Sequence, residues 1–431
     1  MRETDPVAAS PALATGHAPS LLPILLAGLL ALAVAMGIGR FAFTPIMPMM
    51  MRDSGLDIGA GGWLAAANYL GYLAGALLAH RAAGRESAVI RYGLLATGLL
   101  TLAMALPLPM IAMAILRFGA GVASALVLVA VASWSLAILV RHGRAHWNGV
   151  VFTGVGTGVA GAGLLCLGLD AMHAHSWVAW ATLGAVALLI PLLLWQRYGV
   201  GDGAGDQAGH VAGREAGHEA GAQALNQASN QAAASPQARP DAPRAVMRWN
   251  ATNLRLVLCY GLYGFGYIIP ATFLPVMAKR ALPDPALVGW AWPLFGLAGA
   301  IGTLVAAPLS KRIGARRLWI AAHVVMSIGV ALPAWHESGP AVFASAVFVG
   351  LTFILVTVCG MQEARRLEGS NATPLMAAMT AAFAAGQVLG PLSISLGLSR
   401  QGDFSLALGL AALLLFVSAA ALAFPDSPNK P

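Results

Sequence analysis

Runs of about twenty apolar residues, each long enough to cross a hydrocarbon core as a helix, follow one another along almost the whole chain. They lie near residues 20–50, 61–79, 88–108, 109–137, 147–169 and 176–195, and again near 254–278, 286–307, 316–334, 340–361, 374–398 and 402–424. The break between the third and fourth runs, Leu106 to Pro109, is the thinnest. In lipid every backbone polar group must be satisfied inside the structure, and a helix does this within one segment. Only 10% of the 431 residues are charged, against about 25% in a soluble domain, so water cannot be the solvent for most of the surface. The expected fold is an all-α integral membrane protein of twelve transmembrane helices.

The loops set the orientation. A net charge of +8 raises the question of nucleic acid, but the cations sit in short loops between apolar runs, which makes them a topology signal. Arg81, Arg85, Arg91, Arg141, Arg144, Lys311, Arg312, Arg316, Arg317, Arg365 and Arg366 fall on one side. Arg52, Lys279, Arg280 and Arg400 fall on the other. By the positive-inside rule both termini are expected in the cytoplasm. The N-terminal residues lack the basic start and small-residue cleavage site of a secretory signal, so the first run is expected to stay as a span. Cys166, Cys259 and Cys359 all lie in apolar runs and read as packing residues.

The expected organisation is a cytoplasmic tail over 1–19, a six-helix bundle over 20–195, a linker over 196–253, a second six-helix bundle over 254–424 and a tail over 425–431. The linker is rich in Gly, Ala and Gln and lacks the bulky apolar residues that offset ordering entropy. His210 and His218 in it have no rigid frame or further ligands, so no metal site is expected. Trp249 and the basic residues from Arg244 to Arg255 suit an interfacial segment before the seventh span.

The second bundle repeats the first. The stretch from Gly37 to Ala79 recurs 227 positions later without a gap. Gly37/Gly264, Gly39/Gly266, Pro48/Pro275, Met50/Met277, Asp57/Asp284, Gly62/Gly289 and Trp63/Trp290 coincide. Asp57 and Asp284, the latter followed by Pro285, read first as helix caps, with proton coupling as the alternative. Trp63 and Trp290 read as interface anchors.

Two arginines lie inside apolar runs. Arg40 is twelve residues before Arg52, hence roughly 18 Å deeper along a helix and near the middle of a core about 30 Å thick. Arg117 lies roughly 12 Å from the end of its run by the same rise. A mid-depth arginine costs at least about 2.5 kcal/mol, so each should face a cavity or a partner. Two roles are open to each: binding or gating a substrate, or bonding backbone carbonyls freed where Pro or Gly interrupts a helix, for which Gly37, Gly39, Pro45 and Pro48 surround Arg40. Its repeat partner is Tyr267, so the halves differ in charge at the equivalent point. Asn68 and Tyr72 share one helical face, and Tyr260, Tyr263 and Tyr267 form one stripe; both sets read as packing or as site residues. Gln387 needs a partner in hydrocarbon. Glu363 is the acid nearest a span interior and is expected in a loop ion pair beside Arg365 and Arg366.

Two six-span bundles related by a parallel repeat and joined by a cytoplasmic linker resemble the major facilitator superfamily. Arg117-Phe118-Gly119-Ala120-Gly121-Val122-Ala123-Ser124-Ala125 looks like that superfamily's R-x-x-x-G-x-x-x-A signature. The loop after the second span, His80-Arg81-Ala82-Ala83-Gly84-Arg85, and its counterpart Ser310-Lys311-Arg312-Ile313-Gly314-Ala315-Arg316-Arg317 resemble the superfamily's basic loop but lack its aspartate. GIGRFAFTPIMPMM, GWLAAANYLGYLAGAL and Gly386-Gln387-Val388-Leu389-Gly390-Pro391 are similar to bacterial transporters of the YbfB/YjiJ type.

The resemblance implies a secondary transporter of the bacterial inner membrane working by alternating access, with spans one and four lining a central cavity. It implies a substrate site among Arg40, Arg117, Asn68, Tyr72, Tyr263, Tyr267 and Gln387, and gating loops carrying Arg81, Arg85, Arg312 and Arg316. Two cations and no acid deep in a span favour an anionic or carboxylate-bearing small molecule, moved with a coupling proton or against a second anion. An efflux transporter for amphipathic or drug-like compounds and a membrane-embedded ligand sensor are the alternatives. The expected partners are this substrate and the bilayer, with the chain a monomer. No nucleotide loop, nucleophile–base pairing or metal cluster is visible, so no cofactor, nucleic acid or enzymatic reaction is expected.

Overall fold

The computed structural model describes residues 21–82, 84–199, 249–369, 372–398 and 403–425. The tail expected over 1–19, most of the linker expected over 196–253 and most of the tail expected over 425–431 lie outside these residues. The first half holds α1 (Leu22–Asp53), α2 (Ile58–Leu78), α3 (Glu86–Ala103), α4 (Met110–Arg141), α5 (Asn148–Ala171) and α6 (Ser176–Leu193). The second holds α7 (Ala251–Ala281), α8 (Ala291–Ile313), α9 (Ala315–Trp335), α10 (Gly339–Glu368), α11 (Thr373–Ser393) and α12 (Ser405–Ala423). A single turn, Pro285–Val288, precedes α8, and a π-helical tail, Ile394–Leu398, extends α11. The fold is all-helical among the described residues.

Of these helices, 10 are long and apolar enough by themselves to cross a membrane. The exceptions, α2 and α3, occupy the places of the expected second and third spans. Asn68, Tyr69, Tyr72 and several glycines dilute α2, and α3 begins at Glu86 and carries Arg91. Each packs one face against the protein and exposes another: α2 lies along α4, and α3 lies between α4 and α6.

Local chemistry starts the helices where the sequence places them. Asp57 is extended, and its Oδ1 accepts the Ala60 N–H at 2.7 Å, which is the N-cap. Asn250 caps α7 in the same way, accepting from Asn253 N at 2.7 Å. Trp63 and Trp290 are about half exposed near their helix starts, as interfacial anchors are. All three cysteines are buried and free.

The halves meet through α5 against α8, α2 against α11 and the second part of α1 against α7. Bonds that join them are Arg40 Nη2 to Gln387 Oε1 at 2.8 Å, Thr44 Oγ1 to Ala271 O at 3.2 Å, Ser395 Oγ to Gly59 O at 2.8 Å, and the Tyr69–Thr272 hydroxyl pair at 3.0 Å. These lie at the depth of Arg40 or between it and the Arg52 end of the bundle. Thr44 and Ala271 are 227 apart, so positions equivalent in the repeat touch where the halves meet.

The α5–α8 seam is backbone on backbone. A Cβ on Gly156 would lie 2.4 Å from Ala300 N, and one on Gly296 would lie 2.4 Å from Ala160 N. Gly156→Val is therefore expected to separate the halves along this seam while leaving each half's own packing intact. The expected result is a monodisperse protein by size-exclusion chromatography whose substrate exchange in proteoliposomes falls at least tenfold; wild-type exchange would show that the seam carries no function.

Candidate functional site

The site begins with a break in α1. Residues Ala33–Arg40 are π-helical, a form that concentrates at functional positions. The segment is pressed against α5: a Cβ on Gly37 would lie 2.3 Å from Gly158 C, so only glycine fits this approach. Just beyond, Pro45 has no N–H to offer Phe41 O. The Thr44 N–H turns to Phe41 O at 3.1 Å instead, which leaves Arg40 O without its helical donor.

Arg117 on α4 supplies what the break removes. It is 3% exposed, and its Nη2 donates to Arg40 O at 3.1 Å while Nη1 donates to Gly39 O at 3.4 Å. Its guanidinium lies 5.0 Å from the Phe43 ring centroid. Asn68 on α2 closes the arrangement, donating from Nδ2 to Arg117 O at 2.8 Å and to Gly39 O at 3.3 Å. The structural role open to both arginines is thus the one Arg117 performs in this conformation. Arg117 stands behind Arg40 and binds the carbonyls of Arg40 and Gly39, and Asn68 binds those of Gly39 and Arg117.

Arg40 itself turns the other way. It is 1% exposed, and its guanidinium lies 3.8 Å from the Tyr72 ring centroid, with the Phe41 and Tyr69 rings at 5.3 Å and 5.4 Å. Its Nη2 crosses to the neutral Gln387 Oε1 of α11, and Gln387 Nε2 donates to the Tyr267 hydroxyl of α7. Arg40, Tyr72, Tyr267 and Gln387 therefore converge where the halves meet. Tyr263 lies one turn away, its hydroxyl donating to Phe353 O at 2.6 Å, and it stacks on Tyr267 at 5.1 Å.

Around this head the second half presents rings. Tyr267 lies within 5° of parallel to both Phe353 and Phe383, at 5.9 Å and 5.8 Å. Phe353 stacks on Phe295 at 5.6 Å and Phe295 on Trp292 at 4.9 Å, offset distances at which aromatic pairs are favourable. Sequence reading singled out none of Trp292, Phe295, Phe353, Phe383, Thr44 or Thr272. The 227-residue offset was the available signal, since it sets Phe295 opposite Asn68. His323 on α9 was also missed: it is fully buried, with Nδ1 3.3 Å from Trp319 O and its ring 6.2 Å from Tyr263.

At the cation-rich end, Arg81, Arg85 and Arg312 are exposed. Arg316 is held, donating to Leu422 O at 2.8 Å and reaching Glu363 Oε1 at 3.5 Å. Glu363 corrects the loop expectation: α10 runs on to Glu368, and Glu363 is 1% exposed within it. It pairs with Arg366 at 2.9 Å and with Arg316 from α9 at 3.5 Å. Removing one member of a buried pair is costly, though here Arg366 is half exposed and water screens part of the loss. Glu363→Gln is expected to cost about 2 kcal/mol, read as a lower midpoint of thermal denaturation in detergent; an unchanged midpoint would show the pair to be ornamental.

A family model described as "Uncharacterised MFS-type transporter YbfB" matches residues 32–225 and 215–423. No curated protein sequence matches the chain. Among solved structures, a mutant of the nucleoside transporter NupG is similar with a TM-score of 0.66 and 16% identity, over 93% of this chain and 98% of that one. A D-xylose-proton symporter is similar with a TM-score of 0.69 and 12% identity, over 94% and 97%. Likeness of that extent at that identity speaks for a shared fold and leaves the ligand to the residues.

Proposed function

The chain belongs to the family described as the uncharacterised MFS-type transporter YbfB, a multi-pass membrane transporter of the major facilitator fold, and from that premise we propose that it moves a small carboxylate-bearing anion by alternating access. Arg40 carries this reading. A buried cation at the junction of the two halves, bonded to a neutral amide oxygen, is a head for which a carboxylate competes successfully, since it adds an opposite charge and a bidentate fit that the amide oxygen lacks. The two structural neighbours are a nucleoside transporter and a D-xylose-proton symporter; the guanidinium favours an anion in this chain.

Substrate entry follows from the joining bonds. They sit between Arg40 and the Arg52 end, which supports a state closed on that side and open toward the cation-rich, cytoplasmic side. Displacing Gln387 from Arg40 by the anion would loosen one of these bonds, so binding and rearrangement of the halves are coupled through the same guanidinium. Sidedness has its own test. Met172→Cys, in the exposed turn between α5 and α6, is expected to react with a membrane-impermeant maleimide in intact cells, and His142→Cys, after α4, only in permeabilised ones. The reverse pattern would invert the topology.

The reading as a transporter of anions is tested by counterflow in proteoliposomes loaded with unlabelled carboxylates. Uptake of labelled carboxylate that depends on the internal one supports it. Saturable binding without counterflow would leave a sensor. The pH dependence and anion dependence of the same exchange separate a coupling proton from a counter-transported anion.

A further inference from the structure

The repeat makes the site lopsided in a way that names its ligand. Each position that builds the guanidinium's surroundings in α1 and α2 has an equivalent 227 residues on. Arg40 is matched by Tyr267, Asn68 by Phe295, Ala65 by Trp292 and Tyr72 by Gly299. At Gly299 the missing side chain is replaced by a neighbour's ring, because a Cβ there would lie 2.9 Å from Phe353 Cε1. One half thus supplies a cation, and the other a wall of flat rings in nearly parallel planes: Trp292 on Phe295 at 2°, Phe295 on Phe353 at 13°, Phe353 on Tyr267 at 5°. Packing alone in lipid does not call for rings held parallel beside a charge, since aliphatic and small residues close helix seams well.

A second observation lies at the far end of that wall. Trp292 is 1% exposed, and its Nε1 has no hydrogen-bond partner among the described residues. A buried donor left unmade is costly and asks for an explanation. It shares a neighbour with Arg40, the Phe41 ring, whose centroid lies 5.3 Å from Arg40 Cζ and 6.3 Å from the Trp292 ring.

We infer that the substrate is a planar aromatic carboxylate carrying a hydrogen-bond acceptor on its ring. Its carboxylate replaces Gln387 Oε1 on Arg40, its ring lies parallel to the wall of Tyr267, Phe353 and Phe295, and its ring substituent accepts from Trp292 Nε1. This rests on the anion reading of Arg40 and narrows it. An aliphatic carboxylate would satisfy Arg40 but leave the indole N–H unmade, and a neutral aromatic would do the reverse.

The experiment is counterflow in proteoliposomes with 4-hydroxybenzoate, benzoate, hexanoate, succinate, uridine and D-xylose as probes. The expected result is exchange of both benzoates, with 4-hydroxybenzoate preferred and hexanoate and succinate at least tenfold weaker. Trp292→Phe is expected to lower the apparent affinity for 4-hydroxybenzoate about tenfold more than that for benzoate, the loss corresponding to one hydrogen bond at about 1.4 kcal/mol. Equal exchange of hexanoate and benzoate overturns the aromatic inference and leaves the anion reading standing. Equal affinity losses for the two benzoates in the variant overturn the assignment of Trp292. Exchange of uridine or D-xylose with no carboxylate of either class, or of no probe at all, overturns both.

Discussion

Arg40→Gln is expected to remove high-affinity transport while the protein stays folded. Truncating one partner of a buried charge pair costs about 2–5 kcal/mol, which is a loss of roughly 30-fold to a few thousand-fold in affinity. The fold should survive for two reasons. Glutamine retains an amide that can bond Gln387, and it relieves the cost of at least about 2.5 kcal/mol for an arginine at this depth. The thermal midpoint should therefore hold or rise as exchange is lost. Arg40→Lys is expected to recover only part of the affinity. The planar guanidinium lies 3.8 Å from the Tyr72 ring centroid while its edge reaches Gln387, and an ammonium cannot stack and fork at once. Exchange by Arg40→Gln with wild-type affinity but an altered rate would reduce Arg40 to a latch between the halves, and wild-type exchange in both respects would remove it from the mechanism.

Arg117→Leu is expected to fail differently, losing stability and transport together. Its two donors serve Arg40 O and Gly39 O, and a carbonyl left unsatisfied in the interior costs about 1–3 kcal/mol. A loss of roughly 2–5 kcal/mol is expected, with the thermal midpoint falling and the backbone under Arg40 released. Asn68→Leu should give the same phenotype, because its amide holds Gly39 O and Arg117 O. The double variant should cost less than the two single losses combined, as for members of one network. A ligand-binding arginine gives the opposite signature, weaker affinity at an unchanged midpoint, and that outcome would return Arg117 to the substrate.

Arg40 and Arg117 are equally conspicuous in the sequence, because any arginine in an apolar run is costly. Pro45 and Pro48 also announce that carbonyls near Arg40 are freed. Which arginine answers them depends on α4 crossing α1 at Gly39 and on Arg40's side chain leaving on the other side, and neither follows from spacing. Glu363 shows the same limit: the apolar run stops near 361, but the helix continues to Glu368 because Arg316 arrives from α9 to pair with the carboxylate. Trp292, Phe295 and Phe353 were invisible because a ring in an apolar run is unremarkable by itself; only their stacking from two different helices makes a surface.

The sequence by itself determined the spans, the repeat, the cap at Asp57 and the charge asymmetry of Arg40 against Tyr267. Each depends on residues close in the chain or at a constant offset, and the costs that set them, transfer of a side chain to lipid and an orphaned helix end, are paid locally. Only the tertiary structure decided which cation supports the backbone, which faces the junction and which rings stand opposite it. Those outcomes depend on which helix passes at a given depth, and satisfying one particular carbonyl or indole is a property of that crossing.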